Sequence, residues 1–169
     1  MAVTSCICSG VMIMVKNILK VATVLLLGAY LVFLCTRGLA KDIPVEDIQA
    51  WVAEEKTITE LSECGDLELR RFYGLDGGTL EGYVFYKAES PMIVDEFLVA
   101  KASGQEQAKQ ALASAQQHLA DQKKSFEGYG VSQIAQLKKA EVLMQGNYVI
   151  YAAGDHAKQW KDDFMNLIK

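Results

Sequence analysis

The sequence predicts an α+β fold, in which an N-terminal transmembrane helix precedes a two-layer domain with a four-stranded antiparallel sheet and helices on one face. Three observations predict it. An apolar run without charge covers Val21–Cys35. Two pairs of β-forming segments are each joined by a short connection. A helical pattern follows each pair, and two such strand-strand-helix units form one sheet economically.

The apolar run is long enough to cross a bilayer. Residues 18–36 contain one charged side chain, Lys20, and a bilayer core needs about 20 apolar residues in a helix. We predict that this segment holds the protein to the lipid bilayer, between a short segment 1–17 and a linker 37–43. A signal peptide cleaved near Ala40 is the competing interpretation, and an internal core helix is the third.

Flanking charges set the expected orientation. Lys16 and Lys20 precede the apolar run and Arg37 and Lys41 follow it. Together with the shortness of the leading segment, this pattern favours a single-pass protein of the cell membrane with a cytoplasmic N-terminus and an extracytoplasmic C-terminal domain. Secretion after cleavage is the alternative. A translation start at Met14 instead of at the first residue stays open.

Residues 44–169 are predicted to form one extracytoplasmic α+β domain. From residue 41 onward the chain holds fourteen Lys and Arg against twenty-one Asp and Glu, a net charge of −7. This acidity argues against a nucleic-acid partner, which needs a clustered positive surface. Cys64 is the single cysteine beyond residue 40, so an internal disulfide is excluded there, and we interpret it as a packing residue.

The first half of the domain is predicted as two short helices and a hairpin. Pro44 stands at a first helical turn before an apolar stripe, and a second helical stretch runs from Asp66 to Gly74. Segments 83–86 and 94–100 are rich in β-forming residues around a short polar connection. They therefore predict an antiparallel hairpin.

The second half repeats this order. Ser103 and Glu106 form a capping-box pattern before a long amphipathic helix that reaches residue 126. After a glycine-bearing turn and a brief helix, segments 142–144 and 148–151 flank a Gly-Asn step that favours a tight turn. The last helix has an apolar face formed by Ala157, Trp160, Phe164 and Leu167 or Ile168.

Five short blocks of the chain are distinctive: Phe72–Leu75, Tyr86–Ser90, Asp95–Glu96, Gln122–Gly130 and Gly146–Val149. Together they resemble a bacterial family, mostly from Gram-positive species, of small exported lipoproteins and membrane-anchored proteins grouped as a domain of unknown function. The resemblance spans residues 44–168. It implies an envelope location and one domain, and it transfers no catalytic residue. Cys35 departs from the lipoprotein members because it follows Leu34, where a lipidation signal has a small residue.

Five residues are candidates for binding a ligand or partner. Glu89, Ser90 and Asp95 cluster around the first hairpin and suit a cation or an amine, although edge charges that discourage strand pairing have the same pattern. Tyr129 lies between two glycines and suits a stacking platform, or else packs over the sheet. Tyr148 lies on a strand whose aromatic side chains line a groove if helices leave one sheet face open.

No catalytic residue, cofactor or metal site is predicted. The chain has two histidines, His118 and His156, and we interpret both as solvent-facing, so no nucleophile–base arrangement is evident. The predicted function is a noncatalytic, membrane-anchored domain that binds a protein or a cell-wall component at the envelope. A sensor for a small molecule or cation is the alternative, and an envelope hydrolase is the third.

Overall fold

The computed structural model describes residues 17–31 and 40–169. The chain divides into two compact units, Met1–Leu39 and Ala40–Lys169. In the first unit, residues 17–31 form helix α1. Among the described residues, no helix combines the length and the apolar character needed to cross a membrane. Residues 32–36 of the predicted span, most of the segment 1–17 and the start of the linker lie outside the described residues.

The second unit contains six α-helices, five strands and one 3₁₀ turn at Gly77–Thr79. The helices are α2 (Val45–Glu54), α3 (Lys56–Thr59), α4 (Asp66–Tyr73), α5 (Gln105–Phe126), α6 (Val131–Leu137) and α7 (Ala157–Leu167). The strands are β1 (Ser62–Glu63), β2 (Gly82–Lys87), β3 (Glu96–Lys101), β4 (Glu141–Gln145) and β5 (Tyr148–Ala153).

All strands form one antiparallel sheet in the order β1-β2-β3-β5-β4. Both predicted hairpins are confirmed, and the second turns at Gly146, whose φ of 59° is readily available to glycine. The predicted count of four strands was wrong. The fifth strand, β1, pairs only Ser62 with Lys87 and Glu63 with Tyr86. Two residues are too few to produce a period-two pattern in the sequence.

Helices cover both faces of this sheet, so the predicted two-layer arrangement was also wrong. One core lies between the sheet and helices α4, α5 and α6, and it includes Leu69, Leu98 and Tyr151. The other lies between the opposite face and helices α2, α3 and α7, and it includes Phe97 and Trp160. The sheet face predicted to offer an open aromatic groove is therefore buried beneath α2, α3 and α7.

The start of α5 differs from the predicted capping box. The N-cap is Gly104, and no side chain caps the helix there. Instead, the side chain of Gln107 reaches back and its Oε1 accepts a hydrogen bond from the backbone N–H of Ser103 at 2.8 Å. A glutamine thus satisfies a backbone donor that the capping-box pattern assigned to Glu106.

The segment that leads into the second unit is fixed by a buried lysine. Lys101 Nζ forms ion pairs with Asp42 at 2.6 Å and Glu81 at 3.0 Å, and it donates to the carbonyl of Ile43 at 3.0 Å. Burial alone lowers the pKa of Lys101, but the hydrogen bonds from its ammonium to Asp42 and Glu81 outweigh it, so the net pKa is raised. The ammonium thus stays charged and holds residues 42 and 43 against the sheet.

Candidate functional site

A buried carboxylate lies at the first position of β3. Glu96 is fully buried and stands directly across the ladder from Lys87 on β2. Its Oε1 accepts a hydrogen bond from Tyr73 Oη at 2.6 Å, and its Oε2 accepts one from Gln122 Nε2 at 2.8 Å. An ion inside a protein is costly unless it is paired and hydrogen-bonded. This network therefore supplies what the carboxylate loses on leaving water.

His118 completes the network and connects it to solvent. Its Nε2 lies 3.1 Å from both oxygens of Glu96. A carboxylate only accepts hydrogen bonds, and Gln122 Nε2, which is 3.1 Å from the same ring nitrogen, already donates to Glu96 at 2.8 Å. We therefore assign a proton to His118 Nε2. Nδ1 makes no hydrogen bond within the described residues, yet none of their buried side-chain nitrogen or oxygen atoms lacks a partner. Nδ1 is therefore reached by solvent, although the residue as a whole is 7% exposed.

Solvent reaches His118 through an open cleft of about 700 Å³, which we call the His118 cleft. It lies between α4, the β2–β3 connection and α5, and its size suits a small organic ligand or a short peptide. Its lining includes Cys64, Arg71, Phe72, Lys87, His118, Gln122, Phe126 and Tyr129.

Aromatic packing fixes the imidazole at the floor of the His118 cleft. The Tyr73 and His118 ring centroids are 4.4 Å apart, and the Phe72 and Tyr151 rings also contact the imidazole. Tyr151 Oη donates to Gln122 Oε1 at 2.8 Å, which orients the amide so that its nitrogen faces Glu96. The floor is thus pre-organised before any ligand enters.

The buried tyrosine beside Glu96 makes stability depend on alkaline pH. Burial, followed by the charge of Glu96, raises the pKa of Tyr73 well above its ordinary value of about 10. The unfolded chain therefore loses this proton at a lower pH than the folded chain does. Stability from Tyr73 is fully present below about pH 10 and falls above it, by up to about 1.4 kcal/mol per pH unit.

We expect Tyr73→Phe to make the alkaline loss of stability shallower. Urea unfolding of the full chain and of this variant, followed by circular dichroism between pH 7 and pH 11, measures the effect. Between about pH 7 and 9 the difference between the two should stay constant, and above about pH 10 it should shrink. A difference that stays constant up to pH 11 would contradict the buried, neutral phenol.

The predicted hairpin residues lie around a second cleft. Glu89 lines both the His118 cleft and this neighbour of about 710 Å³, whereas Ser90 and Asp95 line the neighbour alone. Glu89 Oε1 accepts a hydrogen bond from Ser62 Oγ at 2.9 Å. The Asp95 carboxylate lies against Gly154, which has φ of 109° and leaves no room for a Cβ atom. The Glu89 carboxylate is therefore hydrogen-bonded to a neighbouring side chain, whereas the Asp95 carboxylate only packs against the backbone at Gly154.

The two predicted tyrosines have different environments. Tyr129 is 63% exposed at the rim of the His118 cleft, and its ring lies 5.8 Å from that of Phe126. Tyr148 is buried, and its hydroxyl accepts from the N–H of Ile43 at 2.8 Å and lies 3.0 Å from the carbonyl of the same residue. Tyr148 thus holds the entering chain segment, and only Tyr129 is available to a ligand.

Cys64 is half-buried and also lines the His118 cleft. Burial raises the pKa of its thiol, and the charges of Glu68 and Glu96 raise it further. A thiol that resists ionisation is a poor nucleophile. Its Sγ lies 3.6 Å from the carbonyl of Ser62. This environment agrees with the interpretation of Cys64 as a packing residue.

Sequence reasoning missed the two central residues of the site. His118 was interpreted as solvent-facing, which was wrong; His156 is exposed, as expected. His118 follows Ala111 and Ala115 at spacings of three and four, so it continues the apolar stripe of α5. Glu96 alternates with Leu98 and therefore faces the core. Among the described residues, no group of three or more His, Cys, Asp or Glu side chains is arranged to hold a metal ion.

The fold and its cleft define an α+β domain with a five-stranded antiparallel sheet and a polar floor to its ligand-sized cleft. The model of a family described as a domain of unknown function, DUF4358, matches residues 54–154. The chain belongs to this family, which confirms the resemblance to a domain of unknown function. A comparison with curated proteins and one with solved structures each gave no match.

Proposed function

We propose that the protein is a noncatalytic binding domain of the cell envelope, and that its ligand, a protein segment or a cell-wall component, enters the His118 cleft. The observation that carries the proposal is the solvent-reached Nδ1 of a histidine whose other nitrogen is fixed by Glu96. Holding a charged carboxylate away from water has a free-energy cost. A binding role explains why Glu96 is buried there, because its carboxylate orients the imidazole so that one defined acceptor atom faces the ligand.

Binding is favoured over hydrolysis by the partners of His118. A histidine that activates a nucleophile lies within hydrogen-bond reach of a hydroxyl or thiol. In the described part of the chain, the polar side chains in contact with the His118 ring nitrogens are Glu96 and Gln122. The thiol that lines the same cleft, Cys64, has a raised pKa. In the described residues, the Glu96 carboxylate thus orients His118, and Nδ1 is available as an acceptor. Within this part of the chain, no hydroxyl or thiol is positioned for activation by the imidazole.

The envelope location is part of the same proposal. The support for it is the sequence of residues 18–36, in which apolar side chains predominate. Placing an arginine at the centre of such a segment costs about 2.5–3.5 kcal/mol of insertion free energy. We expect Leu26→Arg to move the protein from the membrane fraction to the soluble fraction, while Leu67→Arg in the second unit leaves its distribution unchanged. Equal fractionation of both variants would contradict the anchor.

Photocrosslinking of the full chain in cells tests the binding role. A benzophenone amino acid placed at Tyr129 points its reactive group toward the rim of the His118 cleft. The matched control is the same amino acid at Leu67, which is 76% exposed and lines no described cleft. We expect a discrete adduct from position 129 only. Equal adducts from both positions, or none from position 129, would contradict the proposal.

A further inference from the structure

The acidic and the basic side chains that line the His118 cleft differ in how many hydrogen bonds they make within the protein. Three lining carboxylates already accept hydrogen bonds from protein donors. Glu68 Oε2 accepts from the N–H of Gly65 at 3.1 Å, Glu89 from Ser62 at 2.9 Å, and Asp121 from Gln117 Nε2 at 3.0 Å. These acidic groups are therefore partly satisfied before a ligand enters.

The two cations that line the cleft, Lys87 and Arg71, make no such hydrogen bonds among the described residues. Within the residues that the structure covers, Lys87 Nζ donates no hydrogen bond, and its ion-pair partner, Glu96 Oε2, lies 4.0 Å away. Its side chain is nevertheless only 16% exposed. Arg71 makes no hydrogen bond or ion pair there. Both cations lie near the Phe72 ring, at 5.4 Å for Lys87 Nζ and 5.5 Å for Arg71 Cζ.

Lys87 Nζ has no protein acceptor within hydrogen-bond distance in the described residues and is reached by solvent, so its three N–H groups are available to a ligand. Two cations without a hydrogen-bonded acceptor favour an anionic group on the ligand, even though the second unit is acidic overall. Beside them is an unpaired acceptor, Nδ1 of His118. The other ring nitrogen of His118, Nε2, lies 3.1 Å from Glu96 Oε2, and Lys87 Nζ lies 4.0 Å from the same oxygen. The floor of the cleft thus places cationic donors next to an acceptor atom, Nδ1 of His118.

A free peptide C-terminus matches this pair of groups. Its carboxylate accepts from Lys87 and Arg71, and the N–H of its last amide donates to His118 Nδ1. The dianion of a phosphate monoester would satisfy the cations but carries no O–H or N–H to donate to the lone pair of Nδ1. The apolar part of the lining, Val94 and Phe126 among it, can cover a small side chain.

We propose that the His118 cleft binds a peptide through its C-terminal carboxylate, with Lys87 and Arg71 holding the carboxylate and His118 Nδ1 accepting the last amide N–H. This inference rests on the proposed binding function and specifies its ligand. The two cations would recognise the negative charge of the peptide terminus, and the histidine would recognise the N–H of the last amide. A peptide whose terminus is amidated or whose last amide is methylated loses one of these contacts.

Calorimetric titration of the purified full chain with N-acetyl-alanyl-alanine tests the proposal. We expect measurable binding, which weakens about tenfold when the C-terminus is amidated and about tenfold when the last amide nitrogen is methylated. The monoester phenyl phosphate, whose dianion has no O–H, should not displace the peptide. Equal affinity for the free and amidated peptides would overturn the proposal, as would binding of phenyl phosphate without binding of the peptide.

Variants of the protein give the complementary test. Lys87→Gln should weaken binding of the free-acid peptide about tenfold, while the matched control Lys139→Gln, at an exposed position outside the cleft, should leave it unchanged. If Lys87→Gln does not fold, Arg71→Gln at an exposed position serves the same purpose. Crosslinking from position 129 in cells without any peptide binding overturns the ligand class alone. Absence of both results overturns the binding function too.

Discussion

Replacing Glu96 with alanine is expected to destabilise the domain by about 3 kcal/mol or more. The change removes the acceptor shared by Tyr73, His118 and Gln122, whose donors lie 2.6–3.1 Å from the carboxylate. Three polar groups beneath the cleft then lack their partner. Each unsatisfied buried group costs about 1–3 kcal/mol, and water entering from the cleft recovers part of that cost.

Two further variants separate hydrogen bonding from packing at this position. Glu96→Gln keeps the size and one acceptor oxygen, so we expect a smaller loss of about 1–2 kcal/mol. Glu54→Ala removes an exposed glutamate on α2 and should stay within about 0.5 kcal/mol of the parent. Urea unfolding of the full chain followed by circular dichroism measures all three. A Glu96→Ala protein as stable as the Glu54→Ala protein would contradict the network.

Replacing Trp160 with alanine should cost about 3–5 kcal/mol, because it leaves a large cavity beneath α7. Trp160 is 1% exposed, its ring lies 5.8 Å from that of Phe97, and its Nε1 donates to Thr57 Oγ1 at 2.8 Å. The residue therefore joins α7 and α3 to the sheet face that the sequence predicted to be open. The same urea unfolding experiment measures the effect.

Leu67→Ala supplies the control for this second large effect. Leu67 is 76% exposed on α4, so its truncation should change stability by less than about 0.5 kcal/mol. If Trp160→Ala were equally mild, α7 would not cover the sheet and the three-layer arrangement would fail. Trp160→Phe, which keeps most of the ring and loses the indole N–H, should lie between the two.

The elements of the fold that depend on local sequence patterns could be predicted. Both hairpins followed from β-forming segments around short connections, and the long helix α5 followed from its apolar period. The third layer was missed because β3 and β5 were interpreted as strands with one apolar face. Phe97–Ala100 and Tyr148–Ala153 are continuous apolar runs, and such runs indicate burial on both faces. The evidence for the third layer was thus present in the sequence.

The site was harder to predict because its residues lie far apart along the chain. Tyr73, Glu96 and His118 come from α4, β3 and α5, and no spacing rule links them. A polar residue on an otherwise apolar stripe was the available signal for both Glu96 and His118. The role of such a residue can be inferred only when its hydrogen-bond partner is known. Here the partners meet only because α4 and α5 pack on the same face of the sheet.

Glu96 fixes the imidazole of His118 so that the lone pair of Nδ1 faces the cleft. Nitrogen-15 NMR of the imidazole in the full chain, at a pH where the ring is neutral, tests it most directly. We expect a proton on Nε2, slowed in its exchange with water, and a lone pair on Nδ1; Glu96→Gln should weaken this preference. A proton found on Nδ1, or a rapid mixture of both tautomers, would contradict the account.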